Sequence, residues 1–339
     1  MLITALSLHS PTEWLLLPGA KKGMISFTSK TGRPTTMDLN ALIEQYLWTC
    51  TYHKGLNRKT VKAYRIDLLQ FSEQAVGLWY SKEQIANYIA FLQRKYKVRS
   101  VKRKIASVKA FFSYLEYEEL LNDNPFLKIR VKLNAPFLLP RTIPLPIIEK
   151  LLCQIYSEVN SKQHTERQAM SIVRDAAVIE LLFASGMRVS ELCSLHPESV
   201  NLLDGTIKIF GKGAKERVLQ IGNESVLSAL RKYSETFENQ ICKSGAFFVN
   251  RRGNRLSEQS VRFMIVKYSE AAGIAMHITP HMFRQSFATF LLEEDVDIRY
   301  IQRFLGHSSI TTTQIYTHVT AKKQRDILYT KHPRNKLNI

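Results

Sequence analysis

Residues 279–289, TPHMFRQSFAT, combine a helix start with two side chains suited to bind a phosphate. Thr279 is a typical N-cap residue, and Pro280 is favoured at the first helical position, so the stretch predicts a helix that begins here. On that helix His281 and Arg284 are three residues apart and lie on one face. The stretch therefore predicts a helical domain that presents an imidazole and a guanidinium together.

A second stretch, LGHSSITTTQIYTHV at 305–319, follows downstream. Its Leu305-Gly306 pair is typical of a helix C-terminus, where glycine readily adopts the left-handed conformation. His307 comes directly after the glycine, and Tyr316 lies nine residues beyond it. A tyrosine can attack phosphorus to form a covalent phosphotyrosine ester. The stretch thus offers a candidate nucleophile together with a second imidazole.

Two upstream stretches add further cations. In SGMRVSEL, 185–192, a Ser-Gly break ends one helix and places Arg188 near the start of the next, where backbone N–H groups favour an anion. GKGAKER, 211–217, is typical of a hairpin turn between two β-strands, and Lys212 lies within it. Two guanidiniums can clamp one phosphodiester and neutralise the charge of its pentacoordinate transition state, while a lysine can protonate the leaving 5′-oxygen.

In this order and spacing the four stretches resemble the tyrosine recombinases of the phage integrase family, most closely the Xer-type members. The resemblance implies Tyr316 as nucleophile, Lys212 as general acid and His281 as an assisting base. It also implies three groups that bind and stabilise the scissile phosphate: Arg188, Arg284 and His307. The implied reaction cleaves and rejoins DNA through a 3′-phosphotyrosine intermediate and a Holliday junction. It requires no metal ion, ATP or other cofactor.

Composition agrees with a polyanionic partner. The chain has 339 residues, and its 48 Lys and Arg against 29 Asp and Glu give a formal net charge of +19. No apolar run approaches the roughly 20 residues of a membrane span, so nucleic acid is the first expectation and an anionic membrane surface the second. The four cysteines have no metal-binding spacing, which argues against a zinc or disulfide framework. Composition thus favours a reducing, intracellular compartment, and the resemblance implies a bacterial cytoplasmic protein associated with the nucleoid.

The chain is long enough for two domains. Residues 1–37 lack periodicity and predict an N-terminal extension, whereas 38–125 show four apolar stripes of helical spacing. Residues 126–146 are rich in proline and basic residues and predict a linker. Residues 147–339 predict a mainly helical catalytic domain with a small antiparallel sheet. The resemblance implies a SAM-like, four-helix core-binding domain for the first helical region.

Basic residues of the first domain are candidates for DNA contacts. The segment 94–109 has eight Lys and Arg and no acid, on a helix whose other face is apolar. Such a helix can enter a major groove or lie along phosphates, although a charged face that is merely solvated is the common alternative. With two weaker candidates on the second helix and two from the hairpin, the set is Thr60, Lys62, Lys102, Arg103, Lys109, Lys215 and Arg217.

Two other functions remain open. A DNA-binding protein without catalysis would share the basic surface, but the six filled catalytic positions argue against it. A type IB topoisomerase-like enzyme would share the chemistry and relax supercoils as a monomer. The basic first domain argues against it, and so does the tail KHPR at 331–334, which resembles the end of Xer-type proteins. The expected partner is double-stranded DNA with inverted-repeat core sites. A tetramer would act on two such sites, built from this chain alone or together with a second recombinase.

Overall fold

The structure is a computed structural model in which the chain divides into two compact units, Met1–Phe137 and Leu138–Ile339. It describes the backbone of two short strands and the residues that follow, over 24–28, 34–75, 78–131, 133, 140–161, 163–210 and 216–306. No helix within these ranges is long and apolar enough to cross a membrane.

The first unit contains the four helices that the apolar stripes predict. They are α1 (Leu39–Tyr52), α2 (Arg58–Gln74), α3 (Lys82–Lys95) and α4 (Val98–Tyr117), followed by a 3₁₀ turn at Pro125–Lys128. Polar N-caps fix where the first three begin, because the side chains of Asp38, Asn57 and Ser81 each accept a backbone N–H of the following turn. The core between the helices contains aliphatic residues and a group of buried aromatic rings that includes Tyr46, Phe71, Phe111 and Phe112.

A hairpin precedes α1, within the segment that the sequence predicted to be an N-terminal extension. Strands β1 (Met24–Thr28) and β2 (Pro34–Asp38) pair antiparallel over five residues each. The sequence predicted an N-terminal extension here without locating strands in it. Five-residue strands leave too short a pattern to detect among the surrounding glycines and prolines, although Ile25, Phe27 and Thr35 have good β propensity.

The second unit is mainly helical with a small antiparallel sheet, as predicted. Its helices are α5 (Leu145–Asn160), α6 (Glu166–Ser185), α7 (Val189–Cys193), α8 (Glu224–Thr236), α9 (Glu238–Ser244), α10 (Glu258–Ala271), α11 (Pro280–Glu293) and α12 (Ile298–Leu305). The sheet has the order β3 (Val200–Asn201), β4 (Thr206–Phe210), β5 (Glu216–Gln220). Helix α6 is the central element, because it packs against α5, α8 and α11.

The β4–β5 hairpin buries one face only. Ile207 lies opposite Leu219, and Ile209 lies opposite Arg217, on the side that faces the core. Phe210 and Val218 point to the other side and are exposed. Because side chains alternate along a strand, this register decides that Arg217 faces inward.

Candidate active site

Arg284 lies inside the second unit and joins the ends of two helices. Its side chain is only 2% exposed, and its Nη1 donates to the carbonyl of Gly186 at 2.9 Å. Its Nη2 donates to the carbonyl of Leu305 at 2.6 Å. The first carbonyl belongs to the glycine that ends α6, and the second to the last residue of α12. One guanidinium therefore holds both helix ends beside α11.

Helix α11 begins as predicted, with Thr279 at the N-cap and Pro280 at the first position. The Thr279 side chain makes no capping hydrogen bond, so its position was predicted correctly but its capping interaction was not. His281 is exposed, whereas Met282, Phe283 and Arg284 are buried. The imidazole and the guanidinium thus lie in the same turn, one at the surface and the other beneath it.

Close packing holds α11 against the turn that follows α6. Gly186 has φ +58°, and a Cβ added there would lie 2.5 Å from the ring of Phe287 on α11. Any other residue would strain the backbone and push the ring away. The glycine therefore allows the α6–α7 turn to come within hydrogen-bonding distance of Arg284.

Arg188 occupies the N-cap of α7 and pairs with a glutamate that the sequence analysis did not single out. Its backbone N–H donates to Glu191 Oε2 and its Nη1 donates to Oε1, both at 2.8 Å. The Arg188 side chain remains 43% exposed. The start of α7, predicted to favour a bound anion, is thus occupied by the chain's own Glu191 carboxylate, which reaches back by one turn.

Arg217 does not extend outward as a DNA-contacting residue would. Its Nη1 and Nη2 donate to the two carboxylate oxygens of Glu191 at 3.0 and 2.7 Å, and its Nε donates to the carbonyl of Phe304 at 2.9 Å. The side chain is 10% exposed. The expectation of a DNA contact is corrected to an internal ion pair, because strand alternation directs Arg217 to the same side as Leu219. That alternation was visible in the sequence.

Glu191 is the anion between these two arginines. Burial raises its pKa, but the hydrogen bonds and charges of Arg217 and Arg188 outweigh burial and lower the pKa to about 2. The carboxylate is therefore ionised at neutral pH. The Arg-x-x-Glu spacing of residues 188–191 was the sequence signal for this pair.

The segment that precedes α5 is also hydrogen-bonded to α11. The backbone N–H of Ile143 donates to Ser286 Oγ at 2.7 Å, and both residues are fully buried. Ser286 lies two residues beyond Arg284 on the same helix. This contact adds a fixed point for α11.

Four predicted site residues, Lys212, Lys215, His307 and Tyr316, lie outside the described residues. The neighbouring elements are described on both sides of the first pair, since β4 ends at Phe210 and β5 begins at Glu216. Helix α12 ends at Leu305, and Gly306 follows with φ +63°, as the Leu-Gly pair predicted. Of the six predicted catalytic residues, the described part thus positions Arg188, His281 and Arg284.

The candidate DNA-contacting residues of the first unit lie at or near its surface. Lys62, Lys102, Arg103 and Lys109 are exposed, and Thr60 is half-buried. The same basic segment also contains a buried cation, Lys104. Lys104 is 5% exposed and donates to Asp67 Oδ1 at 3.0 Å.

Asp67 is the centre of that buried polar cluster. Its carboxylate also accepts hydrogen bonds from Arg103 and, at 2.8 Å, from Ser107 Oγ. Arg103 is nevertheless about half-exposed. Within the basic segment, Lys104 and Arg103 therefore bind α4 to Asp67 on α2, whereas Lys102 and Lys109 are exposed.

A basic loop that the sequence analysis did not single out lies between Val249 and Leu256. Asn250 shapes it, because its Oδ1 accepts the backbone N–H groups of Arg252 and Asn254 at 2.8 and 3.2 Å. Arg251, Arg252 and Arg255 are exposed on this loop. The run RRGNR at 251–255 was the available signal, but it is shorter than the basic segment of the first unit.

Comparison with known proteins gives a consistent picture. Residues 153–323 match the phage integrase family, and residues 43–119 match the N-terminal SAM-like domain of phage integrases. A tyrosine recombinase of Agathobacter rectalis is 53% identical over 300 residues, covering 88% of this chain and 98% of that protein. Tyrosine recombinase XerD of Listeria monocytogenes serotype 4b is 35% identical over 308 residues, covering 87% of this chain and all of that protein.

Solved structures share the fold. A XerH site-specific recombinase bound to a palindromic difH substrate has a TM-score of 0.69 at 22% identity, with 85% of this chain and 84% of that chain covered. A λ integrase dimer bound to a COC′ core site has a TM-score of 0.63 at 17% identity, with 83% and 77% covered. The family matches and the two relatives, rather than these distant folds, decide the assignment. The chain belongs to the phage integrase family of tyrosine recombinases, and it is an enzyme of DNA strand transfer.

Proposed function

We propose that the chain carries out site-specific recombination of double-stranded DNA through a covalent 3′-phosphotyrosine at Tyr316. The observation that carries the proposal is the way guanidiniums meet at the end of α12. Arg284 and Arg217 donate to the carbonyls of Leu305 and Phe304, and Arg188 is joined to Arg217 through Glu191. The chain continues from this point into the stretch that contains His307 and Tyr316.

In the proposed first step the Tyr316 oxygen bonds to phosphorus while the bond to the 5′-oxygen breaks. Lys212 gives a proton to the leaving oxygen, and His281 assists removal of the phenolic proton. Arg188, Arg284 and His307 stabilise the negative charge of the transition state. Arg284 is held in place for this role, because its Nη1 and Nη2 donate to the carbonyls of Gly186 and Leu305.

The second step reverses the first with a different 5′-hydroxyl. That hydroxyl attacks the phosphotyrosine, a phosphodiester reforms and Tyr316 is released. One ester replaces another in each direction, so the cycle consumes no ATP, and cationic side chains supply the charge that a metal ion would otherwise supply. Two rounds on paired sites pass through a Holliday junction.

Exposed cations supply the proposed DNA-binding surface. Lys62, Lys102, Arg103 and Lys109 belong to the core-binding region, and the arginines of loop 250–255 add a surface on the second unit. A net charge of +19 favours such binding. We retain the division into an extension at 1–37, a core-binding domain at 38–125, a basic linker at 126–146 and a catalytic domain at 147–339 as part of the proposal.

The proposed assembly is a tetramer on two inverted-repeat core sites, formed by this chain alone or with a second recombinase. A λ integrase tetramer bound to a Holliday junction is among the solved structures of this fold. The proposed compartment is the bacterial cytoplasm, in association with the nucleoid. The topoisomerase-like enzyme is the function that an experiment must separate from this one.

Trapping on a nicked DNA site tests the chemistry. We expect wild-type protein, with a chelator present, to form a covalent complex that survives denaturing electrophoresis. Tyr316→Phe should abolish it, whereas Tyr300→Phe, an exposed tyrosine on α12, should leave it unchanged. A covalent complex with Tyr316→Phe, or its loss on chelation, would contradict the mechanism. Relaxation of supercoiled DNA without a core site would favour the topoisomerase-like function.

A further inference from the structure

The guanidinium of Arg217 connects three separate elements of the second unit. The residue is part of β5, its two terminal nitrogens donate to Glu191 on α7, and its Nε donates to Phe304 on α12. This arrangement uses the planar fork of arginine on one side and its inner nitrogen on another. A lysine has a single terminal nitrogen and cannot make these bonds at once.

Glu191 links Arg217 to Arg188, because both side chains donate to its carboxylate. Its Oε1 accepts both Arg188 Nη1 at 2.8 Å and Arg217 Nη1 at 3.0 Å, so the two guanidiniums share one oxygen. Glu191 is 7% exposed and Arg188 is 43% exposed. The carboxylate is therefore the buried partner of an arginine whose side chain is partly exposed.

The end of α12 is packed tightly onto the same guanidinium. A Cβ added at Gly306 would lie 2.9 Å from Arg217 Nη1, and this glycine has φ +63°. The space for Arg217 therefore depends on a glycine immediately before His307. A change at Arg217 would thus reach both Arg188 and the point where α12 ends.

From these contacts we infer that Arg217 is a positioning residue for strand transfer. It fixes the position of the Arg188 side chain relative to the end of α12. The inference rests on the proposed function, because it takes Arg188 as a phosphate-binding group. It assigns Arg217 no contact with DNA. A purely structural Arg217 would instead stabilise the fold without setting the cleavage rate of the folded protein.

Arg217→Gln and Arg217→Lys in the full chain separate these roles, with Arg231→Gln as the matched control. Arg231 also donates to a glutamate, Glu224, and to a backbone carbonyl, that of Leu202, but it lies on α8. For each variant we would measure DNA affinity, the melting temperature, and the single-turnover rate of covalent complex formation on a nicked site at saturating protein. Rates would be taken well below every melting temperature, from about pH 5 to about pH 9.

We expect Arg217→Gln to cleave at least tenfold more slowly, with DNA affinity within about threefold of wild type. The ratio of wild-type to variant rate should grow as pH falls. Without Arg217, burial raises the pKa of Glu191 and, of the charged groups described around it, only Arg188 remains to lower it. Arg217→Lys should recover part of the rate, and Arg231→Gln should match wild type.

Glu191→Gln provides a second measurement in case Arg217→Gln folds poorly. It leaves nothing at position 191 to titrate, so its rate should be low but its ratio to wild type should not depend on pH above about pH 5. Rates for Arg217→Gln within threefold of wild type and a ratio independent of pH would overturn the inference. So would a rate loss matched by an equal loss of DNA affinity. A covalent complex formed by Tyr316→Phe would instead overturn the proposed function, so the two failures are distinguishable.

Discussion

Glu191 combines a buried position with two guanidinium partners, so its ionisation contributes to stability in a pH-dependent way. Its pKa in the folded chain is about 2, below the ordinary glutamate value of 4.5. A lowered pKa means that the folded state favours the ionised form. The contribution of ionised Glu191 to the free energy of unfolding is therefore fully present above about pH 4.5 and is lost as pH falls toward 2.

We predict that Glu191→Gln lowers the free energy of unfolding by about 3 kcal/mol at pH 7. The difference from wild type should shrink as pH falls from about 4.5 toward 2, because wild type then loses the same interaction. Urea unfolding across that pH series measures it. Glu224→Gln, at an exposed ion pair with Arg231, should cost about 1 kcal/mol or less with little pH trend. An equally large loss for both variants would contradict the prediction.

From the sequence, it was easier to predict which residues belong to the site than to predict the direction in which their side chains point. Arg188, His281 and Arg284 could be singled out because their local spacing is unusual and fits one chemistry. The prediction for Arg217 was wrong. A cation beside a basic turn suggests a DNA contact, but the alternation of side chains along β5 directs Arg217 inward. Glu191 was not singled out because its second partner, Arg217, is distant in sequence.

Secondary-structure elements were also easier to predict where neighbouring residues determine them than where segments distant in sequence must pair. The four helices of the first unit could be predicted because apolar spacing and polar N-caps are properties of neighbouring residues. The β1–β2 hairpin could not, because strand pairing joins two segments that are individually short. Helix α4 shows a further limit: periodicity places Lys102 and Lys109 outside, but only the fold shows that Lys104 meets the buried Asp67 on α2.

We predict that two lysines of α4 have separable effects. Lys109→Gln should reduce DNA affinity and lower the slope of log affinity against log salt by about 0.9, with the melting temperature unchanged, because an exposed cation releases counterions on binding. Lys104→Met should lower unfolding stability by about 3 kcal/mol and leave the slope unchanged, because it removes a partner of a buried carboxylate. Salt titrations of DNA binding and urea unfolding measure both. A smaller slope for Lys104→Met with normal stability would reverse the assignment.

At the scale of the whole molecule, each unit has a hydrophobic core of its own. The first core combines aliphatic and aromatic residues, most of them on α1–α4, and the second surrounds α6. Leu68 in the first unit and Leu230 in the second are both fully buried on helices. Truncating a buried leucine to alanine removes apolar burial and leaves a cavity, at a cost of about 2–5 kcal/mol.

We therefore predict two thermal transitions for the full chain free of DNA, each sensitive to its own core. Leu68→Ala should lower the melting temperature of one transition by several degrees and leave the other in place, and Leu230→Ala should do the opposite, because each core stabilises its own unit. Differential scanning calorimetry of the two variants and wild type measures this. If both substitutions shifted one common transition by similar amounts, the units would be unfolding as a single cooperative body despite their separate cores.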